Sequence, residues 1–222
     1  MIDWIEIVMV LTILTDLMLL GTSRLRSSIH IIAVQGIIMG FLPILIHSGP
    51  IAAHTVFLAL STIFIKGFVF PRILQRVMRG GSVRGEIEPS IRYTMSLIVG
   101  VLALAGSLWL SNRLRVNANL AGTLVVPVAF YNIFVGLFLI TTRQKAITQV
   151  IAYLVLENGI YAFGVSMASD QPLMVEMGVL LDVFVAVFIM GITIFHINRE
   201  FDDIDVDQLT ALQDTATKEP RS

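Results

Sequence analysis

Apolar residues in this chain run in long unbroken blocks separated by short polar breaks. Crossing ~30 Å of hydrocarbon as a helix takes roughly 20 mostly apolar residues. Seven segments meet that length, at about 3–21, 29–48, 51–73, 91–111, 120–141, 145–168 and 173–197. They lack the alternation of barrel strands and run about twice as long. Backbone groups in lipid must also find partners within their own segment. The pattern therefore predicts an all-α, polytopic membrane bundle of about seven transmembrane helices. Ser48-Gly49-Pro50 breaks the second span from the third, and Ala168-Ser169-Asp170-Gln171-Pro172 the sixth from the seventh.

Composition agrees. Hydrophobic residues make up 56% of the chain and charged residues 14%, with a mean hydropathy of +0.85. Soluble domains carry nearer a quarter charged residues. The N-terminus, Met1-Ile-Asp-Trp-Ile-Glu, is acidic, with no small-residue cleavage site after a short apolar run. The first span is therefore expected to be retained rather than cleaved. With no cysteine, thiolate metal sites and iron–sulfur ligation are excluded from this chain.

Charge placement sets the orientation. Arg24 and Arg26 follow the first span, and Arg72, Arg76, Arg79, Arg84 and Arg92 follow the third. Arg143 and Lys145 follow the fifth, and Arg199 the seventh. The opposite side has Arg113 and Arg115. The positive-inside rule places the N-terminus outside and the C-terminus in the cytoplasm. The arginine-rich stretch 72–92 reads as a topology signal and a contact for lipid headgroups.

An echo appears at an offset of 119 residues. Thr22-Ser23-Arg24-Leu25-Arg26 parallels Thr141-Thr142-Arg143-Gln144-Lys145, Ile32-Ala33 parallels Ile151-Ala152, and Gly40 parallels Gly159. It suggests two parallel three-helix repeats with one extra helix between them, although apolar segments also match by chance. The units would be 1–78, a basic loop with the fourth span at 79–119, a second three-helix unit at 120–198, and an acidic cytoplasmic tail at 199–222. Glu157 in the second copy falls opposite Ile38 in the first.

Ionisable groups at bilayer depth cost ~2.5–3.5 kcal/mol each, so they face a bundle interior or water and mark ion paths. Glu157, midway along the sixth span, and Asp182, midway along the seventh, are the leading candidates for proton transfer. Each has a structural alternative, a neutral acid or an ion-pair partner that holds helices together. Glu176 lies nearer the outer end of the seventh span, six residues from Asp182 and on a different face. It is either a mouth residue or an interfacial carboxylate. Lys66, within the third span, is either a proton-exchanging amine or a fixed counter-ion to Glu157 or Asp182. Asp16, toward the cytoplasmic end of the first span, reads as local or interfacial. Gln35 and Asn158 are secondary polar groups suited to interhelical hydrogen bonds. His30, His47, His54 and His196 lie near span ends without ligand spacing, so no metal site is expected. No catalytic residue, phosphate loop or cofactor motif stands out.

Leu154-Val-Leu-Glu157-Asn158-Gly159, Met174-Val-Glu176-Met-Gly178 and Asp182-Val-Phe-Val-Ala186 resemble hydrogenase-4 component E. So does the closing Asp205-Val-Asp-Gln-Leu209-Thr-Ala-Leu212. Residues 141–213 carry the specific part of the likeness, with Gln35 and Ile65-Lys66 followed by Pro71 adding to it. The last three spans are also similar to the K subunit of bacterial complex I, with Glu157 and Asp182 at its two intramembrane acids. The second of these is Asp here, where that subunit has Glu. The resemblance implies a non-catalytic inner-membrane subunit of a redox-driven, proton-translocating complex. Its partners would be antiporter-like and quinone-site-like subunits and a cytoplasmic redox arm. Nickel–iron and iron–sulfur centres would sit in those partners, and nucleic acid has no place. The alternatives are a subunit of a multi-protein cation/proton antiporter, a structural scaffold, and an independent transporter. The second, third, sixth and seventh spans are expected to turn polar faces toward partner subunits.

Overall fold

The computed structural model describes residues 4–46, 53–80, 93–114, 124–143 and 145–167. The seventh expected span, with Glu176 and Asp182, and the acidic tail lie outside the described residues, as do His47 and His196. Among the described residues every regular element is helical: α1 (Trp4–Gly21), α2 (Leu25–Gly40), α3 (Leu42–Ile46), α4 (Ala53–Phe64), a π-helical segment (Ile65–Val69), α5 (Phe70–Gly80), α6 (Tyr93–Arg113), α7 (Val125–Thr142) and α8 (Ala146–Met167). They compose six segments long and apolar enough to cross a membrane.

Two of these segments are interrupted, and proline explains both. The second runs from Leu25 to Ile46 with a break at Phe41, whose N–H reaches back to the Ile38 carbonyl at 3.3 Å. Pro43, two residues on, has no N–H to continue the α ladder. In the third span, the Phe70 N–H bonds the Ile65 carbonyl, five residues back. Pro71 removes the next donor, and its ring crowds the carbonyl of residue 67. A local π turn accommodates both effects. Helix then continues through Gly80, so the first part of the arginine-rich stretch is helical.

Helices approach closely where side chains are small. A Cβ on Gly136 of α7 would lie 2.5 Å from the Leu156 nitrogen of α8. On Gly159 it would lie 2.8 Å from the Ala129 carbonyl oxygen, so α7 and α8 touch backbone to backbone. α6 buries only Ser96, Gly100 and Ser107 and turns Leu102, Trp109 and Val101 outward. An apolar exterior around a small-residue contact stripe suits a lipid or subunit environment.

The buried apolar residues form two clusters. One gathers Leu19, Leu25, Ile29, Val135, Leu139 and Ile151, toward the end that carries Arg24 and Arg143. The other gathers Met9, Met39, Val125, Val128, Tyr161 and Ala162, toward the opposite end. In α1, α2 and α8, Asp16, Gln35, Glu157 and Asn158 fall between residues of the two clusters, and Asn132 of α7 lies where the clusters adjoin, after Ala129 and before Val135.

Candidate functional site

That boundary is a polar layer. Asp16 (α1), Gln35 (α2), Lys66 (π segment), Asn132 (α7), and Glu157 and Asn158 (α8) are all buried, none more than 4% exposed. Lys66 Nζ lies 2.7 Å from Glu157 Oε1, a buried salt bridge midway along both spans. The same ammonium donates to Asn158 Oδ1 at 2.9 Å and sits 4.6 Å from the centre of the Tyr161 ring. Asn158 Nδ2 donates to Gln35 Oε1 at 3.2 Å. Gln35 Nε2 donates to Asp16 Oδ1 at 2.7 Å and to Asn132 Oδ1 at 3.0 Å. Asn132 returns its own N–H to the Val128 carbonyl at 3.2 Å.

Local sequence explains how each group arrives. The π turn imposed by Pro71 re-aims Lys66, the usual effect of an inserted residue on a helix face. Gly36 lets α2 come against it, since a Cβ there would lie 2.6 Å from Lys66 Cβ. Gly159 lets the α8 turn bearing Glu157 and Asn158 press onto Asn132, 2.8 Å from the position of a Cβ.

Every link has the same polarity. Lys66 donates, and each amide accepts on the lysine side and donates on the Asp16 side. The chain thus joins a cation at one end to a carboxylate oxygen at the other. Amides transmit polarisation along such a chain, and in a low dielectric each bond strengthens the next. The titratable members of the layer are Lys66, Glu157 and Asp16. A buried pair of this kind is weak evidence for stability, because desolvation offsets much of the Coulombic gain.

Two expectations need correction. Asp16, read as local or interfacial, is fully buried in the bundle core and bonded to Gln35, because α1 packs against both α2 and α7. The polar faces expected to meet partner subunits on the second, third and sixth spans instead meet one another, through Gln35, Lys66 and Glu157. Asn132, Tyr131 and Tyr161 were not singled out from sequence. Asn132 inside an apolar run was the available signal.

At the end of the layer's helices, Arg143 is buried and donates to the Leu19 and Leu20 carbonyls at 3.5 Å, capping α1. Burial lowers its guanidinium below the usual value, while Tyr93 opposes the shift.

Comparisons with known proteins fall on part of this architecture. Residues 124–214 match the family model for NADH-ubiquinone/plastoquinone oxidoreductase chain 4L. That stretch includes Asn132, Glu157 and Asn158, while Asp16, Gln35 and Lys66 lie before it. Over 204 residues the chain is 28% identical to an uncharacterized protein of Mycobacterium tuberculosis, covering 91% of this chain and 92% of the relative. Hydrogenase-4 component E of Escherichia coli K12 is 31% identical over 88 residues, 40% of this chain and 41% of that protein. No solved structure matches. The chain is a multi-pass membrane protein whose residues 124–214 match the chain 4L family of complex I, with partial similarity to hydrogenase-4 component E.

Proposed function

We propose that this chain is a non-catalytic membrane subunit of a redox-driven proton-translocating complex, of the group 4 hydrogenase or formate hydrogenlyase kind. The Lys66–Glu157 pair lies at its coupling site. One observation carries the reading: a lysine and a glutamate 2.7 Å apart, both buried at mid-span, in a hydrogen-bonded layer crossing five elements of the bundle. Groups that expensive in lipid point to an ion path. The chain 4L match over 124–214 and the component E similarity support a place beside redox subunits.

In this mechanism, charge displaced by redox chemistry in partner subunits shifts the Lys66–Glu157 equilibrium. Glu157 takes up a proton when Lys66 turns from it and releases the proton when the pair reforms. Asp182 and Glu176 would continue the path toward antiporter-like partners. The metal and cluster chemistry belongs to those partners, since this chain has no cysteine to hold clusters. The complex would sit in the inner membrane, and the positive-inside rule supports an N-terminus outside and a C-terminus in the cytoplasm.

A structural scaffold is the second reading. The satisfaction of Lys66 by Glu157, Asn158 and the Tyr161 ring favours it. Glu157→Gln separates the two. The variant complex, in sealed vesicles, should assemble and retain part of its redox turnover while losing most of its proton uptake. Undiminished uptake overturns the relay and leaves the scaffold.

A further inference from the structure

Where the arginine-bearing ends of α2 and α5 pack together, the bundle opens a cleft of about 250 Å³ lined by Arg26, His30, Gln75 and Met78. The cleft lies at the ends of two spans. Arg26 and His30 fall in the opening turns of the segment Leu25–Ile46, and Gln75 is one residue from the end of the segment Thr55–Arg76. That is headgroup depth in a bilayer. Arg26 and His30 are exposed and one turn apart on α2, while Arg72 and Arg76 are exposed on α5. His30 Nδ1 lies 2.7 Å from the Arg26 carbonyl oxygen. A carbonyl only accepts, so Nδ1 carries the hydrogen and Nε2 is left for a second partner. The carboxylates among the described residues lie elsewhere: Glu6 starts α1 at the other end of the bundle, and Asp16 and Glu157 are in the polar layer.

Toward the bilayer centre from these cations, both spans turn apolar surface outward. On α2, Val34 follows Arg26 and His30 at steps of four, the spacing of one helix face, and is half exposed. On the other span, Phe57, Leu60, Phe64 and Phe68 are all 46% exposed or more. The rings of Phe64 and Phe68 lie 6.4 Å apart. The Arg72 guanidinium sits over the Phe68 ring, 5.5 Å from its centre, and donates to the Phe68 carbonyl at 3.5 Å. That cation is thereby held where apolar surface gives way to polar. A ligand that suits both parts joins an anionic group to a long apolar one. An acidic peptide or a free phosphate would meet the cations and leave the apolar flank uncovered.

We propose that the cleft between α2 and α5 binds the headgroup of an anionic phospholipid. Arg26 and His30 Nε2 hold the phosphate, and the acyl chains lie along the apolar flank of the two spans. Gln75 offers an amide to the headgroup hydroxyls of phosphatidylglycerol. Basic pockets between transmembrane helices recognise phospholipid headgroups by this chemistry. A lipid seated there fastens the basic ends of the second and third spans, the two that bring Gln35 and Lys66 to the polar layer. The site is separate from the coupling-site reading above and stands whether the Lys66–Glu157 pair relays protons or only holds helices together.

Native mass spectrometry of the full chain in detergent tests this, with phosphatidylglycerol and phosphatidylcholine of identical acyl chains titrated in turn. Phosphatidylglycerol should be retained more tightly. Arg26→Gln combined with His30→Gln should weaken its binding about fivefold or more and leave phosphatidylcholine unaffected. Gln75→Trp, which fills the cleft at constant charge, should weaken it as well. Arg113→Gln, at the opposite end of the spans, is the control and should change neither. Equal retention of the two lipids, or phosphatidylglycerol binding that the cleft variants leave at the wild-type level, overturns the proposal. Competition by glycerol phosphate at the concentration of the lipid would make this a free-phosphate site and overturn it too. So would phosphatidylglycerol binding that appears only once Glu86, Glu88, Asp202, Asp203, Asp205 and Asp207 are replaced by their amides, since the chain's own acids would then fill the cleft. If the Arg26 and His30 variant does not fold, the Gln75→Trp arm decides alone.

Discussion

The hairpins α1–α2 and α7–α8 share a backbone and divide the chemistry. Both turn at an arginine in extended conformation, Arg24 at φ −103°, ψ 119° and Arg143 at φ −100°, ψ 130°, 119 positions apart. Shifted by that offset of 119, however, no polar residue of the layer meets another. Asp16 falls on Val135, Gln35 on Leu154, Asn132 on Ile13, Glu157 on Ile38 and Asn158 on Met39. Each hairpin supplies a polar group where the other supplies an apolar one. The apolar pattern is enough to build the helices and the turn, while the layer depends on where the copies differ. Packing differs too: a Cβ on Gly136 or Gly159 would meet neighbouring backbone, whereas α6, between the hairpins in sequence, turns most of its surface outward.

The largest expected effect comes from breaking the cross-hairpin pair. Lys66→Met strands Glu157 as a buried, uncompensated acid and should cost about 3–5 kcal/mol. Adding Glu157→Met should restore most of that, because replacing both members of a buried pair is often neutral. Denaturation of the single and double variants in detergent measures the difference. A double variant no more stable than Lys66→Met would mean that the pair is not what the layer is built around.

Next in size is the α7–α8 contact. Gly136→Val drives side-chain atoms into the Leu156 backbone, and the lower end of the effect is the ~1–3 kcal/mol typical of overpacking. The smallest effect belongs to Gly106, which has open space around its Cβ position in α6. There Gly106→Ala should raise stability by up to about 1 kcal/mol through helix propensity. The same thermal scans that rank these two test whether α7–α8 is the rigid unit and α6 the tolerant one.

The spans were legible in the sequence because a long apolar block has one solution in lipid. Glu157 and Lys66 were legible as costly residues. Their pairing was not: it depends on helix rotation, which the π turn before Pro71 alters without changing residue types. Asp16 was misplaced for a related reason. Its position near a span end suggested the interface, but burial follows from which helices pack on that face, and these are α2 and α7. The amide links through Gln35, Asn132 and Asn158 join residues as far as 123 positions apart, and no local pattern encodes them.

In the proposed mechanism the Lys66–Glu157 pair exchanges protons during turnover rather than standing locked. The most direct measurement is the number of protons moved per electron pair by the intact complex in sealed vesicles, compared across wild type, Glu157→Asp and Glu157→Gln. The ratio should fall several-fold in Glu157→Gln and be partly recovered in Glu157→Asp, with redox turnover reduced far less. A ratio in Glu157→Gln equal to that of wild type would contradict it.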